Sequence, residues 1–275
     1  MNCIFGIFDV LGFTSFCENC ELSAAESVLK IIDDFETEIP RLVWQHFDPD
    51  NQVPQDKKDM VTSRLRWLTF SDTVFMAMPQ ESADQPDTVK FNLLFFTMLV
   101  AYINRRMFEI GLPMRGAIHV GNVTVSRRCF AGKAIVEAHR LGEKVQVATT
   151  VVSEAANAFF IQTCPPGTGL NTFFKSAIIE CDLPTKTSGM EKIKTLCWFF
   201  LHLGHLPPFK IPADLTDYIT EKFIAHGKVL EGEAKSKVAN TEKLFRDWIA
   251  ANKLDYHELS LNFPPRAEPK SQDMA

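Results

Sequence analysis

Residues 4–16 read IFGIFDVLGFTSF, and this stretch decides the fold. A short apolar run that ends at a turn residue, here Gly12, predicts a buried β-strand followed by a turn. Asp9 lies near the end of the run, where a carboxylate needs a cation, a set of hydrogen-bond donors or a proton. On this stretch alone a structural role is favoured, either as the cap of the following helix or as the partner of an arginine.

A second stretch supplies another acidic residue. Residues 65–78 read LRWLTFSDTVFMAM, two strand-like runs joined by Ser71 and Asp72. Short polar links between apolar runs predict a β-hairpin, which places Asp72 at its tip. Asp9 and Asp72 converge if this hairpin pairs with the first strand. Two convergent carboxylates suit Mg²⁺ or Mn²⁺, because these ions prefer oxygen ligands and leave positions open for phosphates.

A third stretch, residues 114–143, reads MRGAIHVGNVTVSRRCFAGKAIVEAHRLGE. Taken in order, the three stretches resemble the catalytic domain of class III nucleotidyl cyclases, in which an R-x-G-I-H-x-G strand precedes a loop and a helix ending Ala-Arg-Leu. In the third stretch the resemblance is carried by Arg115, Gly116, Ile118, His119, Gly121, Gly132, Ala134, Ala138, Arg140 and Leu141. Three blocks in the right order, over residues 4–145, are more specific than any one alone.

The order of the predicted elements indicates the fold class. Strand, helices, hairpin, helix, strand, helix and strands predict an α/β sandwich of the ferredoxin-like (α+β) type. The resemblance implies the class III nucleotidyl cyclase fold. We expect residues 1–205 to form the nucleotidyl cyclase catalytic domain, and residues 206–275 to form a helical C-terminal extension with a disordered tail.

Local patterns predict the individual elements. Residues 15–47 are expected to be helical with a break at Pro40, and residues 48–59 are expected to form a polar loop. Further helices are predicted over residues 87–110, 132–144, 151–160 and twice within 213–252, and a second hairpin over residues 176–181 and 194–203. The helix over residues 87–110 is apolar all round, which predicts that it is buried on most sides.

The resemblance implies metal-dependent phosphoryl transfer. Asp9 and Asp72 match two carboxylates that hold two divalent cations, Mg²⁺ or Mn²⁺. Arg140 matches an arginine that stabilises the transition state by holding two phosphate oxygens; an exposed arginine on a helix face is the alternative. The nucleotide contacts implied are Leu11, Gly12, Phe13, Thr14, Arg127 and Lys144. Lys144 is also explained as a lysine near a helix C-terminus, and Arg127 as an exposed loop residue.

Three positions depart from the family pattern. Val136 replaces an asparagine that helps to orient the ribose, while Leu68 and Arg127 replace the lysine and aspartate with which adenylate cyclases select adenine. With these departures the chain resembles the pyrimidine cyclases of bacterial anti-phage Pycsar systems. These are homodimers with shared active sites, and their product activates a separate effector.

The second resemblance implies UTP as the favoured substrate, with cyclic UMP and pyrophosphate as products. Two kinds of alternative remain open. One is a CTP or ATP cyclase of the same fold. The other is a non-catalytic relative that acts as a nucleotide sensor or dimerisation module.

Composition limits the classes of protein to which the chain can belong. The formal net charge of −5 does not indicate a nucleic-acid partner. No apolar run reaches membrane-spanning length and no signal peptide is visible, so we expect a soluble, cytoplasmic protein without a membrane partner. The seven cysteines are scattered, and the pair Cys17 and Cys20 is interpreted as helix packing. His119 is expected on a sheet face and not in catalysis.

Overall fold

A computed structural model of the chain describes residues 2–48, 50–81, 83–126, 129–199 and 214–251. Its strands are β1 (Asn2–Val10), β2 (Arg66–Phe70), β3 (Thr73–Gln80), β4 (Met114–Asn122), β5 (Thr124–Val125), β6 (Phe130–Ala131), β7 (Thr150–Val152), β8 (Ile178–Thr185) and β9 (Gly189–Leu196). Seven of these strands form one mixed sheet in the order β2-β3-β1-β4-β7-β9-β8, and β5 pairs with β6 separately.

The helices flank this sheet and connect its strands. They are α1 (Phe13–Asn19), α2 (Leu22–Asp33), α3 (Phe35–Phe47), α4 (Gln55–Arg64), α5 (Pro86–Glu109), α6 (Lys133–Lys144), α7 (Glu154–Thr163), α8 (Gly169–Ala177), α9 (Leu215–Ile224) and α10 (Glu233–Ala251). A 3₁₀ turn, Ala225–Gly227, follows α9. The predicted α/β sandwich with a helical C-terminal region is therefore confirmed.

Strand β1 is the centre of the sheet. It pairs antiparallel with β3 on one side and with β4 on the other, and β4 pairs in parallel with β7. All of its residues are buried except Asn2 and Asp9. The apolar run therefore covers both faces of the sheet, and the one carboxylate stands at the carboxyl end of the strand.

Helix α5 has the burial that its all-round apolar pattern predicts. Most of its side chains beyond the first turn are buried. The helix is followed by Gly111, whose φ of +82° lies in the left-handed region that glycine adopts without a steric penalty. Pro113 lies two residues after Gly111 and directly before β4, so the helix and the strand are joined by a short, sharp turn.

The N-terminal half differs from the prediction in two places. Residues 15–47 contain three helices, and the break falls at Asp34, while Pro40 lies inside α3 and costs that helix one internal hydrogen bond. The predicted polar loop is partly helical, since α4 begins within it. Asp48 orders the rest of the loop by accepting the N–H groups of Gln52 and Val53 and by pairing with Lys58 at 2.7 Å.

The sequence patterns do not predict β7 or α8. Strand β7 has only three residues, all buried, and so it shows no alternation of polar and apolar side chains. Helix α8 does carry a start signal, because the side chain of Thr168 accepts a hydrogen bond from the N–H of Asn171 at 3.2 Å. The second predicted hairpin is present as β8 and β9, but its strands are shifted: β8 is Ile178–Thr185 where the sequence predicts residues 176–181, and β9 is Gly189–Leu196 where it predicts residues 194–203.

The C-terminal helices pack against the sheet domain. Trp248 of α10 donates from Nε1 to Oγ1 of Thr195 at 3.1 Å, and Oγ1 of Thr241 accepts the N–H of Ala148 at 3.0 Å. The predicted domain boundary at residues 205–206 and the predicted C-terminal tail lie outside the described residues. Among the described residues, no helix is both long enough and apolar enough to span a membrane.

Candidate active site

The two predicted metal-binding aspartates lie side by side at one end of the sheet. Asp9 stands opposite Thr73 in the β1–β3 register, and the N–H of Val10 donates to the carbonyl of Asp72 at 3.0 Å. The hairpin therefore pairs with β1, and both aspartates are half-buried at that junction. Oγ1 of Thr73 donates to Oδ1 of Asp9 at 2.9 Å, which orients the carboxylate.

The donor set suits a divalent cation that keeps open positions. Within the described part of the chain, neither Asp9 nor Asp72 has an ion-pair partner, and Thr73 is the one hydrogen-bond donor to either carboxylate. The same part of the chain contains no group of three histidine, cysteine, aspartate or glutamate side chains with metal-ligand geometry. Two carboxylates match Mg²⁺ or Mn²⁺, which take one or two protein carboxylates and complete their coordination with water and phosphate.

The turn between β1 and α1 presents backbone N–H groups next to the aspartates. Gly12 has φ +75° and ψ 23°, a left-handed conformation that glycine adopts without strain. The N–H groups of Gly12, Phe13 and Thr14 have no backbone acceptor among the described residues. Leu11 is the exception to the prediction, because its N–H already donates to the carbonyl of Pro113 at 2.8 Å and is unavailable to a phosphate.

Arg115 is a site residue to which the sequence analysis gives no function. It stands opposite Asp9 in the β1–β4 register, and antiparallel partners point to the same face of a sheet. Its side chain is 12% exposed, and its nearest carboxylate oxygen, on Glu143, is 3.9 Å away. Its Nε and Nη1 are buried without a hydrogen-bond partner. A guanidinium with two unsatisfied nitrogens beside a carboxylate site indicates an anionic ligand.

Arg140 lies on the exposed face of α6 and makes no ion pair within the described chain. The buried side of the same helix packs very closely on β4, because a Cβ on Gly142 would lie 2.9 Å from the Cα of Gly116. Val136, one turn before Arg140, is 48% exposed. Arg140 and Val136 therefore face solvent together in the single chain.

Two further predicted contacts are Lys144 and Arg127. Lys144 forms an ion pair with Glu191 of β9, and this hydrogen bond holds the pKa of the Glu191 carboxyl below its usual range. The ammonium of Lys144 therefore already has an anionic partner. Arg127 lies outside the described residues. Leu68 is half-buried on β2, opposite Phe75, and offers no polar group to a base.

His119 lies on the sheet face, as expected. Its Nδ1 is 2.6 Å from Oγ of Ser153, its Nε2 is 3.5 Å from Oε2 of Glu137, and Phe5 packs edge-on against its ring. Burial lowers the pKa of His119 below its ordinary value, and Glu137 opposes that shift. Ser153 also caps α7 by accepting the N–H of Ala156. These contacts assign His119 to packing.

A large groove in the described chain lies elsewhere. It has a volume of about 1140 Å³ and lies at the opposite end of β1, where Asn2 faces Gln80. Its lining includes Trp67 and Phe130 but neither aspartate. Chemistry favours the aspartate end, because that end gathers the unpaired carboxylates, the free N–H groups and the partly unsatisfied guanidinium of Arg115.

Comparisons with known proteins give similarity at the level of structure. No family model matches the chain, and no curated protein matches its sequence. The adenylyl cyclase CyaB from P. aeruginosa is 12% identical, over 71% of this chain and 93% of that chain, with a TM-score of 0.38. The guanylyl cyclase Cya2 is 12% identical, over 71% of this chain and 90% of that chain, with a TM-score of 0.37. The catalytic core of a rhodopsin-guanylyl cyclase with converted specificity, solved in complex with ATPalphaS, is 12% identical, over 71% of this chain and 94% of that chain. Its TM-score is 0.36.

Proposed function

We propose that this chain is a nucleotidyl cyclase, which converts a nucleoside triphosphate into a 3′,5′-cyclic nucleotide and pyrophosphate. The observation that carries the proposal is the pair Asp9 and Asp72, which are adjacent, half-buried and without a cationic partner among the described residues. An unpaired carboxylate pair costs stability, so its presence indicates a ligand that neutralises it.

Asp9 and Asp72 would hold the two divalent cations, which supply charge neutralisation around the triphosphate when bound. The N–H groups of Gly12, Phe13 and Thr14 would donate to phosphate oxygens, and Arg115 would complete this cradle from β4. In this arrangement the 3′ oxygen forms a bond to the α-phosphorus, the bond from that phosphorus to the bridging oxygen breaks, and the 3′-hydroxyl proton is lost as pyrophosphate leaves.

The active form would be a symmetric homodimer. Arg140 is exposed with Val136 on α6, and Phe70 is 77% exposed at the hairpin tip beside Asp72. Large exposed apolar side chains on two separate surfaces suit an interface that joins different patches. Each site would then take its aspartates from one subunit and Arg140 from the other, where Arg140 stabilises the transition-state charge.

The favoured substrate in this proposal is UTP, with CTP second, and the product is cyclic UMP. Support comes from two positions at which adenylate cyclases select adenine. Leu68 stands where they have a lysine, and Arg127 stands where they have an aspartate. A guanidinium can donate to the carbonyls of uracil. If the same guanidinium faced the amine of adenine, two donors would meet and one would stay unpaired, at a cost of about 1–3 kcal/mol. By the same resemblance, the cyclic nucleotide acts on a separate effector in anti-phage defence.

One observation favours a second function, a non-catalytic nucleotide sensor. Val136 is apolar and exposed, and so it cannot hydrogen-bond a ribose as an asparagine would. A sensor would bind a nucleoside triphosphate at the same aspartates and release it unchanged. The two functions therefore differ in product formation and not in binding.

The test is to incubate the purified protein with Mn²⁺ and each of the four nucleoside triphosphates, and to identify the products by mass. We expect cyclic UMP to form fastest, and Asp9→Asn or Asp72→Asn to lower the rate about a hundredfold or more while the fold is retained. Asp182→Asn, a change at an exposed strand aspartate, is the matched control. Binding without any product would favour the sensor, and full activity in either site variant would contradict the metal assignment.

A further inference from the structure

The segment after α9 packs against the turn between β1 and α1. His226 lies edge-on to Phe16 of α1, with ring centroids 5.5 Å apart, and its Nε2 is 2.6 Å from the carbonyl of Ile110. The N–H of Val229 donates to Oγ of Ser15 at 3.2 Å. The C-terminal extension therefore contacts α1 directly, on the helix that follows the proposed phosphate-binding turn.

The joint between this segment and the core is tight. A Cβ on Gly111 would lie 2.2 Å from the Cβ of Ala225, so the extension approaches the turn between α5 and β4 as closely as a glycine allows. Two residues later, Pro113 accepts the N–H of Leu11 at 2.8 Å. Residues 111–113 thus connect the extension on one side to the β1–α1 turn on the other.

Lys228 lies at the centre of this joint. It is 5% exposed, and its Nζ donates to the carbonyl of Gly111 at 2.5 Å and to the carbonyl of Lys222 at 3.4 Å. Its Cδ is 3.5 Å from the position of a Cβ on Gly12, so the side chain passes directly beside the turn. A cavity of about 70 Å³ lies beside Lys228, and its lining includes Gly12 and Lys237.

The charge of Lys228 has no carboxylate partner among the described residues. Burial lowers the pKa of Lys228 to about 8, because the ammonium is desolvated. A methionine would fill the same space without that cost. An ammonium buried without a carboxylate partner contributes little net stability, because its desolvation offsets its two hydrogen bonds to backbone carbonyls, and this indicates a role beyond stabilising the fold.

We propose that Lys228 is a positioning residue of the nucleotide site: its ammonium fixes residues 111–113, and through them the β1–α1 turn, so that the N–H groups of residues 12–14 point at the triphosphate. This inference rests on the proposed function and extends it to the C-terminal helices, which become part of the site's support. Lys228 itself touches backbone carbonyls and not the reacting atoms.

The experiment compares the full-length wild-type chain with Lys228→Met and Lys237→Met. Lys237 is a matched control, because it lines the same cavity but pairs with Glu233 at 3.5 Å. Three quantities are measured: the affinity for inorganic pyrophosphate with Mn²⁺ by calorimetry, the hydrogen-exchange rates of the amides of residues 12–16, and Tm.

For Lys228→Met we expect pyrophosphate affinity to fall by about 10- to 100-fold, as for other losses of site geometry. Exchange should accelerate at residues 12–16 and not across the sheet, and Tm should change little, because the relieved desolvation of the ammonium offsets its two lost hydrogen bonds. Lys237→Met should match the wild type in all three. The assay of product formation then checks the same loss in kcat/KM.

Several outcomes would overturn the positioning role. Unchanged exchange and affinity in Lys228→Met would refute it while leaving the proposed function intact. A lowered Tm with exchange accelerated throughout would show a purely structural lysine. An equal loss in Lys237→Met would assign the effect to general positive charge. Failure of the wild type to bind pyrophosphate would instead contradict the proposed function itself.

Discussion

At the scale of single residues, we expect Arg115 to lower the free energy of unfolding and to strengthen nucleotide binding. Two of its guanidinium nitrogens are buried without partners, so Arg115→Met should raise the free energy of unfolding by about 1–3 kcal/mol. The same change should weaken binding of UTP with Mn²⁺ about 10- to 100-fold, because one charge-assisted contact to phosphate is lost. Urea denaturation and calorimetry measure the two effects.

Arg41→Met is the control for Arg115→Met, since Arg41 is exposed and pairs with Glu38 on α3. It should change neither quantity measurably. If Arg115→Met lowered stability and left binding unchanged, Arg115 would be a structural residue. The phosphate cradle would then rest on the N–H groups of the turn alone.

The same scale shows what the sequence could predict of the site. Asp9 and Asp72 are recognisable because a carboxylate is conspicuous in an apolar run and at a hairpin tip. Arg115 is harder to assign, because its position opposite Asp9 depends on the register of two strands more than a hundred residues apart. Lys144 shows the opposite limit: its spacing fits a phosphate contact, but the partner Glu191 comes from a strand that the helix pattern does not reveal.

At the scale of elements, the joint between the C-terminal segment and α1 should give stability a specific pH dependence. Lys228 has a folded pKa of about 8, below the 10.5 of an exposed lysine. Between these values the unfolded chain binds the proton that the folded chain has released, so the free energy of unfolding rises with pH. Below pH 8 both states are charged, and the folded state carries the full cost of burial.

Urea denaturation of the wild type between pH 7.5 and 10 should therefore show a rising contribution of at most about 3 kcal/mol, which Lys228→Met lacks. The difference between the two proteins removes the contributions of other titrating groups. Lys237, which lines the same cavity and pairs with Glu233, is present in both proteins. Parallel pH profiles would show that the ammonium is not desolvated in solution.

Element prediction succeeds where one local pattern decides and fails where a tertiary contact does. The hairpin of β2 and β3 and the buried helix α5 follow from runs of apolar residues and their end signals. Strand β7 does not, because three buried residues form a strand only when β4 and β9 lie beside them. The ion pair of Asp48 with Lys58, which ties the loop to α4, is likewise a contact that no local rule predicts.

At the scale of the whole molecule, a single chain holds only part of the proposed site. The aspartates, the turn and Arg115 converge at one end of the sheet, whereas Arg140 faces solvent without an ion pair in the described chain. A symmetric dimer that joins the hairpin tip to the exposed face of α6 would bring the two halves together twice. This arrangement explains why Phe70 and Val136 are both exposed in the isolated chain.

Mixing two inactive variants tests this arrangement. A heterodimer of an Asp9→Asn chain with an Arg140→Ala chain contains one site with both Asp9 and Arg140 intact and one site with neither. We expect each homodimer to be inactive and the heterodimer, purified through two different affinity tags, to recover about half of the wild-type activity. Mixing Asp9→Asn with Asp72→Asn is the control, because every site in that heterodimer lacks one aspartate. Recovery in the control, or none in the Asp9–Arg140 pair, would show that the residues do not combine across the interface as proposed.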